Sequence, residues 1–331
     1  MIRFLVAAAL AFCAMSVRGS QIVDTASVAE AIKRGAIVWD VRDDIAYARG
    51  HLPGAVNIGD AGRVLRHAHT EDFIPTDRIE KLLGAAGIDP SQEIIVYSTR
   101  AHTGAYFALF TLRYFGAEKA YVYHDGIDGW RGAGQPISTS PTRRAPVSLK
   151  LQPNASIAVS TQDVLAKLKD PGVQLLDVRT RGEFEATDIR AIRGGHIPGA
   201  LNIPYEENWV DPETASKLAR RIVADNSGMS LKPDDVLRRL YAKLDPHKET
   251  IVYCQSGVRA AETATVLAKL GFRNVKVYDS SWLGYAARLE APVANEVFFN
   301  VGALNRQLAA MQARIEALER ELNEARKASA R

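Results

Sequence analysis

Cys254 is placed as a nucleophile would be. It follows the apolar run Ile251-Val252-Tyr253 and precedes Gln255-Ser256-Gly257-Val258-Arg259, after which AAETATVLAKL reads as a helix. The sulfur therefore sits at the C-terminal end of a strand and just ahead of a helix, the edge at which open α/β sheets bind ligands. Backbone N–H groups of a short loop, and the helix N-terminus itself, stabilise negative charge there. A thiolate nucleophile and an anionic substrate both need that environment. Gln255, Ser256, Gly257 and Val258 would form the cradle, and Arg259 adds a cation suited to an anion. The plain alternative is a buried, inert thiol. The strand–loop–helix setting with Gly257 and Arg259 favours the reactive reading.

Positioning such a loop requires a sheet, and the chain carries two copies of one. IVWDVRDDIAYARGHLPGAVNI at 37–58 is matched by LLDVRTRGEFEATDIRAIRGGHIPGALNI at 175–203. IIVYSTRAHTGAYFALFTLRYFGAEKAYVY at 94–123 is matched by TIVYCQSGVRAAETATVLAKLGFRNVKVY at 250–278. Apolar strands alternating with helix-period segments predict α/β domains, each a mostly parallel sheet flanked by helices. The copies predict domains over 21–140 and 156–293, joined by a Pro-containing linker over 141–155. The second copy has extra residues near 185–194 and a polar helical insert near 211–245. In the first copy Ser98 stands in place of Cys254. A hydroxyl lacks the acidity and softness of a thiol, so the first domain is expected to be catalytically silent. Asp177 and Arg179 recur as Asp40 and Arg42, and His196 recurs as His51. Recurrence in the active and silent copies alike marks them as structural residues near the site.

Composition excludes several function classes. A length of 331 residues fits about two domains, and 47% hydrophobic with 24% charged residues is an ordinary globular balance. The net charge of +4 is diffuse, with no Lys/Arg block longer than two, so a nucleic-acid partner is not expected. Two cysteines exclude a Cys-rich zinc site. One of them, Cys13, lies in a leader-like segment. Met1-Ile2-Arg3 is followed by a largely apolar stretch from Phe4 to Val17 and then Arg18-Gly19-Ser20, the layout of a signal peptide over 1–19. Cleavage predicts a periplasmic or secreted protein with Cys254 as its single thiol and no stable membrane span. An uncleaved leader would anchor it to a membrane.

From 297 onward the pattern changes. Val297, Val301, Leu304, Leu308, Met311, Ile315, Leu318, Leu322 and Ala325 recur at alternating four- and three-residue steps, an a/d seam. Arg314 with Glu319, and Glu321 with Arg326, place opposite charges at g and e. The tail over 297–331 is expected to form a coiled coil and to bring copies of the chain together through residues 297–325.

Taken together, the chain resembles a tandem rhodanese of the thiosulfate/3-mercaptopyruvate sulfurtransferase family from about 25 to 293. The resemblance rests on Asp177-Val178-Arg179, Glu183-Phe184, GGHIPGALNIP at 194–204, CQSGVR at 254–259 and VYDSSW at 277–282. It implies that Cys254 takes a sulfane sulfur from a small anionic donor, becomes a persulfide, and passes the sulfur to cyanide or a thiol. No metal or organic cofactor is implied. Many tandem members have an arginine where this chain has Glu183, so donor binding is expected to fall to Arg259, or to Arg190 or Arg193. Trp282 is a candidate wall of the cleft, with core packing as its alternative. The CQSGVR loop matches neither the typical mercaptopyruvate loop nor the strongly basic thiosulfate loop; thiosulfate is the favoured donor. Four residues separate Cys254 from Arg259, whereas the related phosphatases and arsenate reductases need five to cradle a tetrahedral oxyanion. A sulfur-carrier or persulfide-sensing module that docks a partner through its tail is the competing reading, and a scaffold with both domains inactive is the third.

Overall fold

Ile37–Asp40 and Ile94–Tyr97 are apolar runs buried along their whole length, as central strands of a parallel sheet covered on both faces must be. They are β2 and β4 of a five-stranded sheet completed by β1 (Ile22–Val23), β3 (Ala55–Asn57) and β5 (Ala120–Tyr123). The strand order is β1-β5-β4-β2-β3, and every pairing is parallel. A second sheet is built from β6 (Ala158–Val159), β7 (Val173–Asp177), β9 (Leu201–Asn202), β10 (Glu249–Tyr253) and β11 (Asn274–Tyr278), in the order β6-β11-β10-β7-β9 and again all parallel. The two sheets match strand for strand. The addition is β8 (Arg193–His196), which comes from the extra segment of the second copy and pairs antiparallel with β12 (Ala294–Phe298). The computed structural model describes residues 20–329; the leader expected over 1–19, with Cys13, lies outside the described residues.

The helix Thr103–Tyr114 of the first domain is buried from Gly104 to Leu112. A helix apolar all round has no solvent face to offer. It packs against the helix Val258–Lys269, which follows Cys254, so one core cluster runs through both domains. The segment expected to be a linker is irregular but strapped down. Val147 N donates to Gly84 O at 2.9 Å, and Leu151 N donates to Glu80 Oε1 at 2.7 Å.

The tail departs from expectation at its root. The helix spans Val301–Ser329, and Val297 lies in β12 rather than at the first step of the seam. One glycine explains the change: a Cβ on Gly195 would lie 2.5 Å from Ala294 O, so only glycine lets this edge accept a strand. Asn300 then caps the helix by accepting from Ala303 N at 2.9 Å.

Candidate active site

β10 ends at Tyr253, and Cys254 follows it, 1% exposed. The chain is held there by the turn after β11. Cys254 N donates to Ser281 Oγ at 3.1 Å, Trp282 N donates to Cys254 O at 3.0 Å, and Leu283 N donates to Gln255 O at 2.9 Å. Ser281 adopts a φ of +48°, where the first copy has Gly126 at +53°. A side chain in that region is strained by roughly 1–3 kcal/mol. Ser281 Oγ offsets this by accepting from Cys254 N while donating to Tyr278 O at 2.6 Å. Sequence reading missed Ser281. The signal available was its counterpart in the first copy, where Gly126 stands at the equivalent turn position.

Gly257 has a φ of +86°, and a Cβ there would lie 2.6 Å from Asp279 O and 2.7 Å from Asp279 Oδ1. Asp279 is in turn paired with Arg66 of the first domain at 3.0 Å. The first domain thus braces the back of the loop. Among the described residues, none accepts from the backbone N–H groups of Gln255, Ser256 or Gly257. With Val258 and Arg259 opening the helix, whose first N–H groups have no intrahelical acceptor, the loop presents a run of free donors directly after the sulfur. Gln255 Nε2 points outward, donating to Arg190 O at 2.8 Å.

Arg259 is not the free cation expected. Its Nη1 and Nη2 bind Glu183 Oε2 and Oε1 at 2.7 and 2.8 Å, a bidentate pair. Burial pushes the Glu183 carboxyl up, but Arg259, Thr180 and Arg190 overcome it and hold it at about 2. Glu183 also closes a capping box with Thr180, which fixes it in place to meet Arg259. Arg190 Nη1 lies 3.2 Å from the same carboxylate, with its side chain 53% exposed. One carboxylate faces two guanidinium groups, so the uncompensated positive charge at this rim belongs to Arg190. Burial pushes the carboxyls of Glu206 and Glu262 up, which reduces the negative charge they add. Glu262 also accepts from Trp209 Nε1 at 3.0 Å.

Two other candidates belong to the core instead of the site. Arg193 is 1% exposed and bonds Ala286 O, Arg288 O and Glu296, so its guanidinium ties β8 to the chain that leads into β12. Trp282 is 1% exposed, donates from Nε1 to Arg193 O at 3.0 Å, and lies under Arg179 at 4.4 Å. It fills the space beneath the loop and walls no cleft. Asp177 and Arg179 form a buried pair, and Arg179 Nη2 reaches Gly195 O at 2.7 Å. Asp40 and Arg42 repeat that pair, with Arg42 Nη2 at 2.8 Å from Gly50 O. His196 stacks on Phe184, and His51 stacks on Tyr47. These groups hold the Gly-His-x-Pro-Gly loops in both domains.

The Ser98 loop shows the opposite economy of donors. Arg100 N donates to Asp128 Oδ2 at 2.8 Å, Ala101 N to His124 O at 2.9 Å, and His102 N to Thr99 O at 3.2 Å. His102 Nδ1 accepts from Gly104 N at 3.2 Å, which makes His102 a helix cap and not a base for Ser98. The insert of the second domain closes over this loop. Asn226 Nδ2 donates to Asp128 Oδ2 at 2.8 Å, and His124 Nε2 donates to Met229 O at 2.9 Å.

The comparisons agree with this geometry. The family model for the rhodanese-like domain matches twice, over residues 24–133 and 160–288. A thiosulfate sulfurtransferase of Corynebacterium glutamicum is 33% identical over 271 residues, covering 78% of this chain and 84% of that protein. A Mycobacterium tuberculosis protein with a provisional thiosulfate sulfurtransferase name is 32% identical over 263 residues, covering 76% of this chain and 88% of the relative. Among solved structures, the anaerobic ergothioneine biosynthesis enzyme of Chlorobium limicola aligns with a TM-score of 0.70 at 22% identity, covering 84% of this chain and 70% of its own; at that identity the likeness is one of fold. Two matched domains, a sheet order repeated strand for strand and a cysteine loop rich in free donors have one explanation: the chain is a tandem-domain member of the rhodanese family.

Proposed function

We propose that this protein is a sulfurtransferase that moves a sulfane sulfur through a persulfide on Cys254. The observation that carries the reading is the contrast between the two loops. The backbone donors of Gln255, Ser256 and Gly257 are free, whereas those of Arg100, Ala101 and His102 in the Ser98 loop are engaged. The Cys254 thiolate attacks the outer sulfur of thiosulfate. The sulfur–sulfur bond of the donor breaks, and its electron pair leaves with sulfite. Arg190 holds the departing oxyanion, and the loop N–H groups stabilise the persulfide's terminal sulfur. Cyanide or a thiolate then attacks that sulfur, and Cys254 departs as the thiolate, ready for another cycle. The leader-like sequence of residues 1–19 supports an extracytoplasmic site of action.

Intact mass spectrometry after incubation with thiosulfate tests this. The expected result is the gain of one sulfur atom, absent in Cys254→Ser; no adduct on the unaltered protein would sink the proposal. Steady-state thiocyanate formation with cyanide distinguishes an enzyme from a carrier, which would load once and hold its sulfur.

A further inference from the structure

The tail helix Val301–Ser329 leaves its apolar face uncovered. Its a and d positions from Val301 to Leu322 are between 37% and 62% exposed. At the root the face widens. Val297, Phe298 and Ile192 are 47%, 56% and 55% exposed. Beside them lies an open depression of about 460 Å³, formed by residues 189–192 with Phe299 and Val301. Monomeric soluble proteins rarely expose a continuous apolar surface of this extent.

We propose that a second copy of this chain covers this face, the two tails pairing as a parallel two-stranded coiled coil over 301–325. Charge complementarity supports the partner and its direction. In a parallel pair each g position faces the e position five residues on in the partner. Those pairs are Asn300 with Asn305, Gln307 with Gln312, Arg314 with Glu319, and Glu321 with Arg326, with no like charges opposed. In the antiparallel arrangement that fills the same layers, Arg314 lies nearest to its own copy. Direction also decides what happens at the root. Parallel pairing brings both root patches to one end of the coil, where they cover each other. Antiparallel pairing separates them by about 37 Å at 1.5 Å per residue and leaves both in water. Ile315 at a with Leu318 at d leans toward two strands, while Leu308 at a and Met311 at d carry no such preference, so the strand number is left to the test.

The pairing has a consequence for the site. Residues 189–192 form the depression at the root, and Arg190 within them accepts from Gln255, the neighbour of Cys254. Burial of the root patch would brace this rim.

Sedimentation equilibrium of the full chain is the test. A dimer is expected, and Leu308→Glu with Ile315→Glu should convert it to a monomer while the two domains keep their melting temperature. These side chains are 53% and 48% exposed on the tail helix, outside every buried cluster of the two domains, so loss of folding does not confound the result. Direction is read by placing Ala325→Cys in a chain whose own Cys13 and Cys254 are changed to Ser. Mild oxidation should link the two copies, because position 325 faces itself only in the parallel pair. A monomer, a trimer, a dimer that survives the double substitution, or a dimer that fails to cross-link would each overturn the proposal.

Discussion

The two carboxylate oxygens of Glu183 take both Nη atoms of Arg259, at 2.8 and 2.7 Å. The pair joins the first turn after β7 to the first turn after the Cys254 loop, so it locks loop shape and removes Arg259 from direct anion binding. Burying two charges is tolerated because geometry and charge match. Its pH signature follows. Glu183 is held at about 2 against an ordinary 4.5. A depressed carboxyl contributes stability that is present above the ordinary value and is lost as pH falls toward the folded one. The loss should be on the order of 3 kcal/mol between about pH 4.5 and 2. Urea unfolding across that range, on the unaltered protein and on Glu183→Gln, checks it. The difference between the two should shrink on acidification; a difference that stays constant would show that the carboxylate charge is not the source.

Arg190 and Arg193 are three residues apart and should respond in opposite ways. Arg190→Ala removes the uncompensated rim cation. We expect KM for thiosulfate to rise about tenfold, the equivalent of roughly 1.4 kcal/mol, with kcat within about twofold. Arg193→Ala should leave KM alone and lower the melting temperature, because Glu296 and two buried carbonyls lose their partner. Paired Michaelis–Menten and melting curves decide it, and a KM effect confined to Arg193→Ala would reverse the assignment.

Ser281 carries strain and a tether at once, and two substitutions separate them. Ser281→Ala keeps the positive φ but loses the acceptor for Cys254 N, so a destabilisation of about 2–3 kcal/mol is expected. Ser281→Gly relieves the φ and loses the same bond, so its stability should lie nearer the original while sulfur loading slows. Rapid-mixing measurement of persulfide formation beside thermal melts tests this. Unchanged loading in Ser281→Gly would show that the tether does not position the thiol.

A cysteine alone should not revive the first domain. Ser98→Cys supplies a thiol, but the donors that would cradle its persulfide are already engaged with Asp128, His124 and Thr99. In the Cys254→Ser background, Ser98→Cys is expected to retain no sulfur after thiosulfate treatment. Stoichiometric retention would show that residue identity at 98, and not loop geometry, keeps that domain silent.

Strand–loop–helix periodicity, the repeated Asp-Val-Arg and Gly-His-x-Pro-Gly segments, and the replacement of Cys254 by Ser98 are all local patterns. They were enough to read two α/β domains of one family, and to single out Cys254 as the candidate nucleophile with Ser98 at its place in the other copy. The heptad seam was equally legible, since helix periodicity is written in consecutive residues. What pairing distant residues would do was not legible. Glu183 and Arg259 lie in separate turns, and nothing in their spacing shows that one cancels the other and shifts the free charge to Arg190. Arg193 and Trp282 carry polar groups that suit a cleft, yet folding buries them where backbone carbonyls satisfy those groups. Val297 fits the heptad, but the open edge beside Gly195 draws it into a strand. Sequence alone determined which residues could do the chemistry, because residue type and local period suffice for that. Only the tertiary structure decided which of them are free to do it, because freedom depends on partners brought together across the fold.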